Sequence, residues 1–343
     1  MTIENREPVQ IFDTEAGFAP VKNLIAIGDP NVQNFGGRWW MFVGAAHAGE
    51  KVNIFSASLP PGAPLSSDEW TITTVHGDPT EAAPLVEHPE EGRWDEWLHT
   101  PSYANGHAGD GGTGPCERIY YTGSQAAPDG ERLFSIGVLE RNGEVWRRRE
   151  EPVLRGSGER TNVLEPKVIW SQGKWRMWVM ATAKEAGPDD LPDYQIHYLE
   201  SDDGIGGWSD PQILFDEDDN FFDAVAIETG GGSEMVVARA PNMFGTPGFP
   251  SQGLWWLCSL EPSGDRACWS ARPVPLLDAD HGARWYASGT YGPSITYGDT
   301  PADRDTLYVF FTGAAVPDPD PYVLSIARLT VHRPELTGDR GNH

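Results

Sequence analysis

The chain has 343 residues, 39% hydrophobic and 11% aromatic, with 39 Gly and 29 Pro, which gives material for a large core and too many turn formers for a helical one. Lys and Arg number 25 against 51 Asp and Glu, and the formal charge of −26 repels phosphate backbones and anionic lipid, setting nucleic acid and membranes aside as partners. The three cysteines, Cys116, Cys258 and Cys268, form neither a metal-type cluster nor a disulfide framework, although Cys258 and Cys268 can face each other across a hairpin.

The N-terminal "MTIENREPVQIF" has no basic start followed by an apolar stretch, and no apolar run is long enough to span a bilayer, so the expected location is cytoplasmic. From Leu24 the chain reads "LIAIGDPNVQNFGGRWWMFVGAA": a strand, a Gly36-Gly37 turn and a second strand. Similar aromatic or β-branched runs follow as "ERIYYTGSQ", "KWRMWVMAT", "EMVVARAP" and "TLYVFFTGAA", most ending in small residues. Each is preceded by another strand. The paired strands open near Asp29, Thr100, Glu165, Asp223 and Ser288, a spacing of roughly 60–70 residues that marks stacked supersecondary units.

The second halves of the units repeat as well. "LFSIGVLERNGEVWRRREEPVL" and "YQIHYLESDDGIGGWSDPQILF" share a strand, a polar turn with Gly, a Trp and an outer strand. Four strands per unit and five units predict one all-β domain over residues 1–343, a five-bladed β-propeller with antiparallel blades around a central channel. The final "YVLSIARLTV" needs a partner, and "PVQIF" is the candidate that closes the ring. A pair of packed β-sheets is the alternative.

In a propeller the first strand of every blade lines the channel, so residues heading those strands converge. Asp29, Glu165 and Asp223 can therefore share one small pocket. Each has a plainer reading: Asp29 before Pro30 makes an Asx-type turn, and Asp223 follows the solvated acidic run "FDEDDNFF". Glu165 before Pro166 has fewer structural excuses, because Glu is a poor turn former. His99 is read either as a ligand to a substrate hydroxyl or as a satisfied structural histidine. Trp285, Tyr286 and one ring of the Trp39-Trp40 pair, taken as Trp40, are candidate platforms for an apolar sugar face, with Ser288 beside them. Arg239 either fixes a substrate group or pairs with a channel acid.

With these residues in view, the chain resembles the furanosidase-type five-bladed propellers, glycoside hydrolase families 43 and 62 and the related families 32 and 68. "DPNVQNFGGRWWMFVGAA" is similar to their first-blade signature, "LEPKVIWSQGKWRMWVMA" to a third-blade stretch of the fructan-cleaving families, and "WYASGTYGPSI" to their fifth-blade segment. The resemblance implies hydrolysis of a furanoside or short oligosaccharide by a carboxylate pair. It makes Asp29 the base or nucleophile. Glu165 falls where one branch keeps its general acid and another a transition-state stabiliser, and Asp223 takes the acid role in that second branch. It implies no cofactor, allows a structural calcium on the axis, and is met by monomers or homodimers.

The chain also departs from those families. "AIGDPN" replaces their longer first motif, Thr100-Pro101-Ser102 stands where a second-blade Asp is usual, and Asp95 and Glu96 lie upstream on an expected loop. "FFDAVAIE" replaces a Glu-Cys-Pro pattern, and Leu164 replaces an Arg. Two other readings stay open: a propeller repurposed as a cyclase, lyase or isomerase of a small metabolite, and a non-catalytic sugar-binding propeller.

Overall fold

A computed structural model describes residues 7–49, 51–107, 114–127, 130–184, 186–315 and 323–333. Strand β1 (Val9–Asp13) leads into the first blade: β2 (Leu24–Phe35), β3 (Arg38–His47), β4 (Lys51–Ser58) and β5 (Thr71–Ile72), followed by a small ribbon of β6 (Thr74–Val75) and β7 (Asp78–Ala82). The second blade contains β8 (Trp97–His107), β9 (Pro115–Ala126), β10 (Arg132–Asn142) and β11 (Val145–Arg148), with β12 (Leu154–Arg155) also pairing on β10. The third is β13 (Asn162–Ser171), β14 (Lys174–Thr182), β15 (Gln195–Ser201) and β16 (Gln212–Phe215). The fourth is β17 (Phe221–Thr229), β18 (Gly232–Arg239), β19 (Gly253–Ser259) and β20 (Val274–Asp278). The fifth joins β21 (Gly289–Tyr297), β22 (Thr306–Ala314) and β23 (Leu324–His332) to β1, in the order β1-β23-β22-β21.

The expected propeller is therefore the observed fold, and the stacked-sheet alternative falls away. "PVQIF" closes the ring as expected, with Val9 opposite Arg328 and Asp13 opposite Ser325. The inner hairpins turn tightly because their two central residues tolerate positive φ. Gly36 and Gly37 stand at 63° and 72°, and Gln172 and Gly173 at 50° and 79°, the geometry that matches strand twist in a two-residue hairpin loop. Among the described residues no helix is long and apolar enough to cross a membrane.

The core is not one mass but five apolar clusters, each filling the seam between two neighbouring blades. Trp178, Tyr198 and Leu214 of the third blade, for example, pack with Phe221, Met235 and Leu257 of the fourth. Apolar residues are spent on the seams, which leaves the axis to polar side chains.

Candidate active site at the propeller axis

Four of the five inner strands share a local device. Their register slips at Asp29-Pro30, Thr100-Pro101, Glu165-Pro166 and Gly292-Pro293, where two residues oppose one on the neighbouring strand. The residue before each proline has a positive φ: 52° at Asp29, 51° at Thr100, 55° at Glu165 and 58° at Gly292. For a side chain other than glycine this backbone costs of order 1–3 kcal/mol and needs outside support. Support comes from the preceding blade: Thr312 Oγ1 accepts from the Asp29 N–H at 2.7 Å, and Thr122 Oγ1 accepts from the Glu165 N–H at 3.0 Å. Gly44 holds the corresponding station beside Thr100, and a Cβ there would lie 3.2 Å from His99 Cβ and 3.3 Å from Asp29 Oδ2.

The bulges turn these side chains onto the axis. Thr100 Oγ1 lies 3.3 Å from Asp29 Oδ2 and 2.9 Å from Glu165 Oε1, so one hydroxyl bridges the two carboxyls. His99 Nδ1 stands 2.9 Å from the same hydroxyl and 3.9 Å from Asp29 Oδ2. Glu165 is 4% exposed and Thr100 and Asp223 are fully covered, whereas the side chains of His99 and Asp29 keep 22% and 13% of their surface open. Beneath them Lys167 Nζ faces Asp223 Oδ1 at 3.7 Å, and the Gly292 N–H donates to Asp223 Oδ2 at 2.8 Å.

Burial dominates the electrostatics. It holds Glu165 well above the ordinary carboxyl range, helped by the charges of Asp223 and Asp29 and opposed by Lys167 and Thr100. Asp29 is raised by burial and opposed by Lys167 and the Thr100 hydrogen bonds, and Asp223 is raised by burial against Lys167 and the Gly292 N–H. Burial, with a smaller push from the Arg132 charge, lowers His99 to about 4, so its ring is neutral at neutral pH.

The same ring of residues stitches the blades together. The residue that follows each bulge points at the next seam: Asn31 Oδ1 accepts from the Tyr103 N–H, Ser102 Oγ from the Val168 N–H and Ser294 Oγ from the Val32 N–H, all within 2.8–2.9 Å. In the third blade that station is Lys167, which has only donors and cannot accept such a bond. The seam is closed instead by the Lys167–Asp223 ion pair, and Asp223 passes the stitch on to Gly292.

Other sequence-predicted residues fall elsewhere. The fifth blade opens at Gly289, next to Ser288, whose backbone joins Ala314 and Asn242, and its bulge is at Gly292-Pro293. Tyr286 is 5% exposed in the seam between the fourth and fifth blades, and Trp285 packs on it and stacks on Phe311, because Arg284–Tyr286 form a 3₁₀ turn that directs both rings inward. Trp40 stacks on Phe35 beside the Gly36-Gly37 turn, at the opposite end of the inner strands from Asp29. Arg239 is held by Asp219 O and by the Ser251 carbonyl and hydroxyl, with its guanidinium over Trp255. Asp95 is fully buried against Arg148 and Tyr121, and Glu96 pairs with Arg132, so both acids brace the loop. Cys258 and Cys268 are free thiols.

Thr100, Lys167, Thr122 and Thr312 are the site residues that sequence reasoning gave no role. Two signals marked them: the "EPK" run itself, and the repeated aromatic-aromatic-Thr-Gly of "YYTG" and "FFTG" in the blades that precede those of Glu165 and Asp29. Among the described residues no group of three or more His, Cys, Asp or Glu is arranged to hold a metal ion.

Fold and axis together define a five-bladed β-propeller with a buried carboxylate cluster at its centre. No protein-family model matches the chain, and no curated protein matches its sequence. Solved structures do match in shape. A thermostable family-43 glycoside hydrolase aligns with a TM-score of 0.61 at 15% identity, over 92% of this chain and 92% of that one. The GH43_1 enzyme from Xanthomonas citri, solved with xylose, gives 0.59 at 13% identity over 95% and 90%. The catalytic domain of the GH62 α-L-arabinofuranosidase from Coprinopsis cinerea gives 0.58 at 11% identity over 95% and 96%. At these identities the likeness is one of fold.

Proposed function

We propose that this propeller is a glycoside-cleaving enzyme acting on a furanoside or a short oligosaccharide, with Asp29 and Glu165 as its carboxylate pair. One observation carries the reading: a single hydroxyl, Thr100, bridges two carboxyls, both made better proton holders by burial, with Glu165 pushed further by the charges of Asp223 and Asp29. Glu165 keeps its proton and serves as the acid, while the more exposed Asp29 gives its proton up and serves as nucleophile or base. Asp223, covered and tied to Lys167 and Gly292, positions the cluster rather than touching substrate.

The shapes of the neighbours support a sugar as substrate, and the convergence of Asp29 and Glu165 counts against a purely sugar-binding role. The depth of Glu165 behind Thr100 favours one competing reading, a non-hydrolytic enzyme for a small metabolite.

The deciding experiment measures wild type, Asp29→Asn and Glu165→Gln on a panel of aryl furanosides and pyranosides, with folding followed by circular dichroism. A fall of about 10²–10⁴-fold in both folded variants is expected for loss of a positioned acid or base. A wild type silent on every glycoside would move the assignment to the small-metabolite enzyme.

A further inference from the structure

Glu165 poses a problem for any chemistry that needs its proton. It is 4% exposed, it shares a side-chain hydrogen bond with the buried Asp223, and Oε1 is covered by Thr100. The carboxyl offers a substrate almost no open surface. Thr100 carries the polar contacts that lead out: its Oγ1 lies 2.9 Å from Glu165 Oε1, 2.9 Å from His99 Nδ1 and, more loosely, 3.3 Å from Asp29 Oδ2. His99 is the partly open end of that path, with 22% of its side chain exposed. Its ring stands edge-on to Phe134 at 6.2 Å, and its Cβ rests against Gly44, contacts that fix its orientation.

We propose that His99 and Thr100 form a proton wire through which buried Glu165 gives and regains its proton, with His99 Nε2 as the group that meets the substrate. Its role in sugar cleavage rests on the glycosidase reading above; the wire itself does not.

A threonine hydroxyl has one proton and can also accept, so the path has two matched states. In the first, Glu165 is protonated and donates to Thr100, Thr100 donates to His99 Nδ1, and His99 carries its proton on Nε2. On reaction the Nε2 proton moves to the departing oxygen, the Thr100 proton moves to Nδ1, and the Glu165 proton moves to Thr100. Thr100 Oγ1 loses one proton and gains another, the imidazole exchanges its Nε2 proton for one on Nδ1, and Glu165 becomes a carboxylate. In the second half a water held at Nε2 gives up a proton there as its oxygen attacks. The Nδ1 proton returns to Thr100 and the Thr100 proton to Glu165, restoring the starting state. The ring stays neutral throughout, in keeping with its low affinity for a second proton. The longer 3.3 Å contact from Thr100 to Asp29 leaves Glu165 as the preferred partner of the hydroxyl.

The test needs no sugar. The protonated Glu165 carboxyl is identified by infrared spectroscopy as the band lost in Glu165→Gln, and its hydrogen–deuterium exchange is timed after rapid mixing into heavy water. Thr100→Val keeps the branched shape at this backbone but has no hydroxyl, and Thr100→Ser keeps the hydroxyl. Wild type and Thr100→Ser are expected to exchange within the mixing time. Thr100→Val and His99→Phe are expected to slow by about a hundredfold, the low end of what a positioned proton-transfer group contributes. Exchange in Thr100→Val as fast as in wild type overturns the wire, as does the lack of any protonated band lost in Glu165→Gln. A wild type inert to all glycosides but showing slowed exchange in Thr100→Val removes the glycosidase reading and keeps the wire.

Discussion

Replacing Lys167 by Met removes the one cation of the axial cluster while keeping most of its apolar stem. The ammonium is 2% exposed and stands 3.7 Å from a carboxylate oxygen that is fully covered. At that distance a pair in protein surroundings interacts by about 4 kcal/mol, and deleting one partner of a buried pair costs about 3–5 kcal/mol. Protonation of the stranded carboxyl limits the damage, so a loss of about 3 kcal/mol is expected near pH 7.5. The pH dependence is the sharper signature. Asp29, Glu165 and Asp223 all hold protons more tightly folded than unfolded, with ordinary values of 3.8, 4.5 and 3.8. Their contribution to stability is complete below those ordinary values and is lost as pH rises through the folded ones. Lys167 lowers all three, so its removal raises the folded values further and extends the loss to higher pH. The deficit of Lys167→Met should therefore shrink to about 1 kcal/mol near pH 5. Near pH 4 it should reverse, because the wild type then buries an ammonium beside neutral acids. Urea unfolding curves at intervals between pH 4 and 8 read this out. A loss that is the same at every pH, or below about 1 kcal/mol at pH 7.5, would refute the assignment of Lys167 as the charge that holds the cluster together.

Thr312→Val and Thr122→Val each strand a buried N–H, and each should lose about 1–3 kcal/mol in denaturant melts, with Ser restoring most of it. Gly44→Ala pushes a methyl against His99 and Asp29; an expected stability cost of about 1–2 kcal/mol, checked by thermal melting, should come with a disproportionate loss of turnover. Asp95→Asn should cost about 3 kcal/mol by the same melts, since the amide offers Arg148 and Tyr121 one acceptor oxygen in place of two and removes the buried charge that pairs with Arg148. Deleting residues 1–13 removes β1 and should abolish a single cooperative transition in calorimetry, and a peptide spanning 7–15 should restore it.

The parts of this molecule legible in its sequence are those with a period. Strand pairs with aromatic runs recur in every blade, and an acid or polar residue before proline heads three of them, at Asp29, Thr100 and Glu165. The closing role of "PVQIF" is readable because one strand lacks a partner. Gly292-Pro293 obeys the same rule, but glycine carries no side chain to draw attention, so the fifth bulge is easily missed. The fourth blade has no proline at its slip between Phe221 and Asp223, which hides how far Asp223 lies from solvent. Aromatic residues mislead for a physical reason: in a ring with five apolar seams, Trp285 and Tyr286 are worth more between blades than facing a channel. The support of one blade's bulge by the previous blade's threonine is a contact between distant segments, and only the fold brings it together.

The joint between β1 and β23 also sets an order of events. β1 is synthesised before any of the five blades is complete, yet its partner β23 follows all of the other strands, since Phe12 pairs with Ile326 and Asp13 with Ser325. Through most of synthesis β1 is a strand without a sheet, while the growing blades form an arc that cannot yet become a ring. Completion is thus a single late act that tests the whole chain: a blade missing or misaligned anywhere along the arc leaves the two ends unable to meet. When they do meet, the axial residues, drawn from separate blades, reach their final distances together. A chain with an unclosed arc and a chain with an unfinished site are the same molecule.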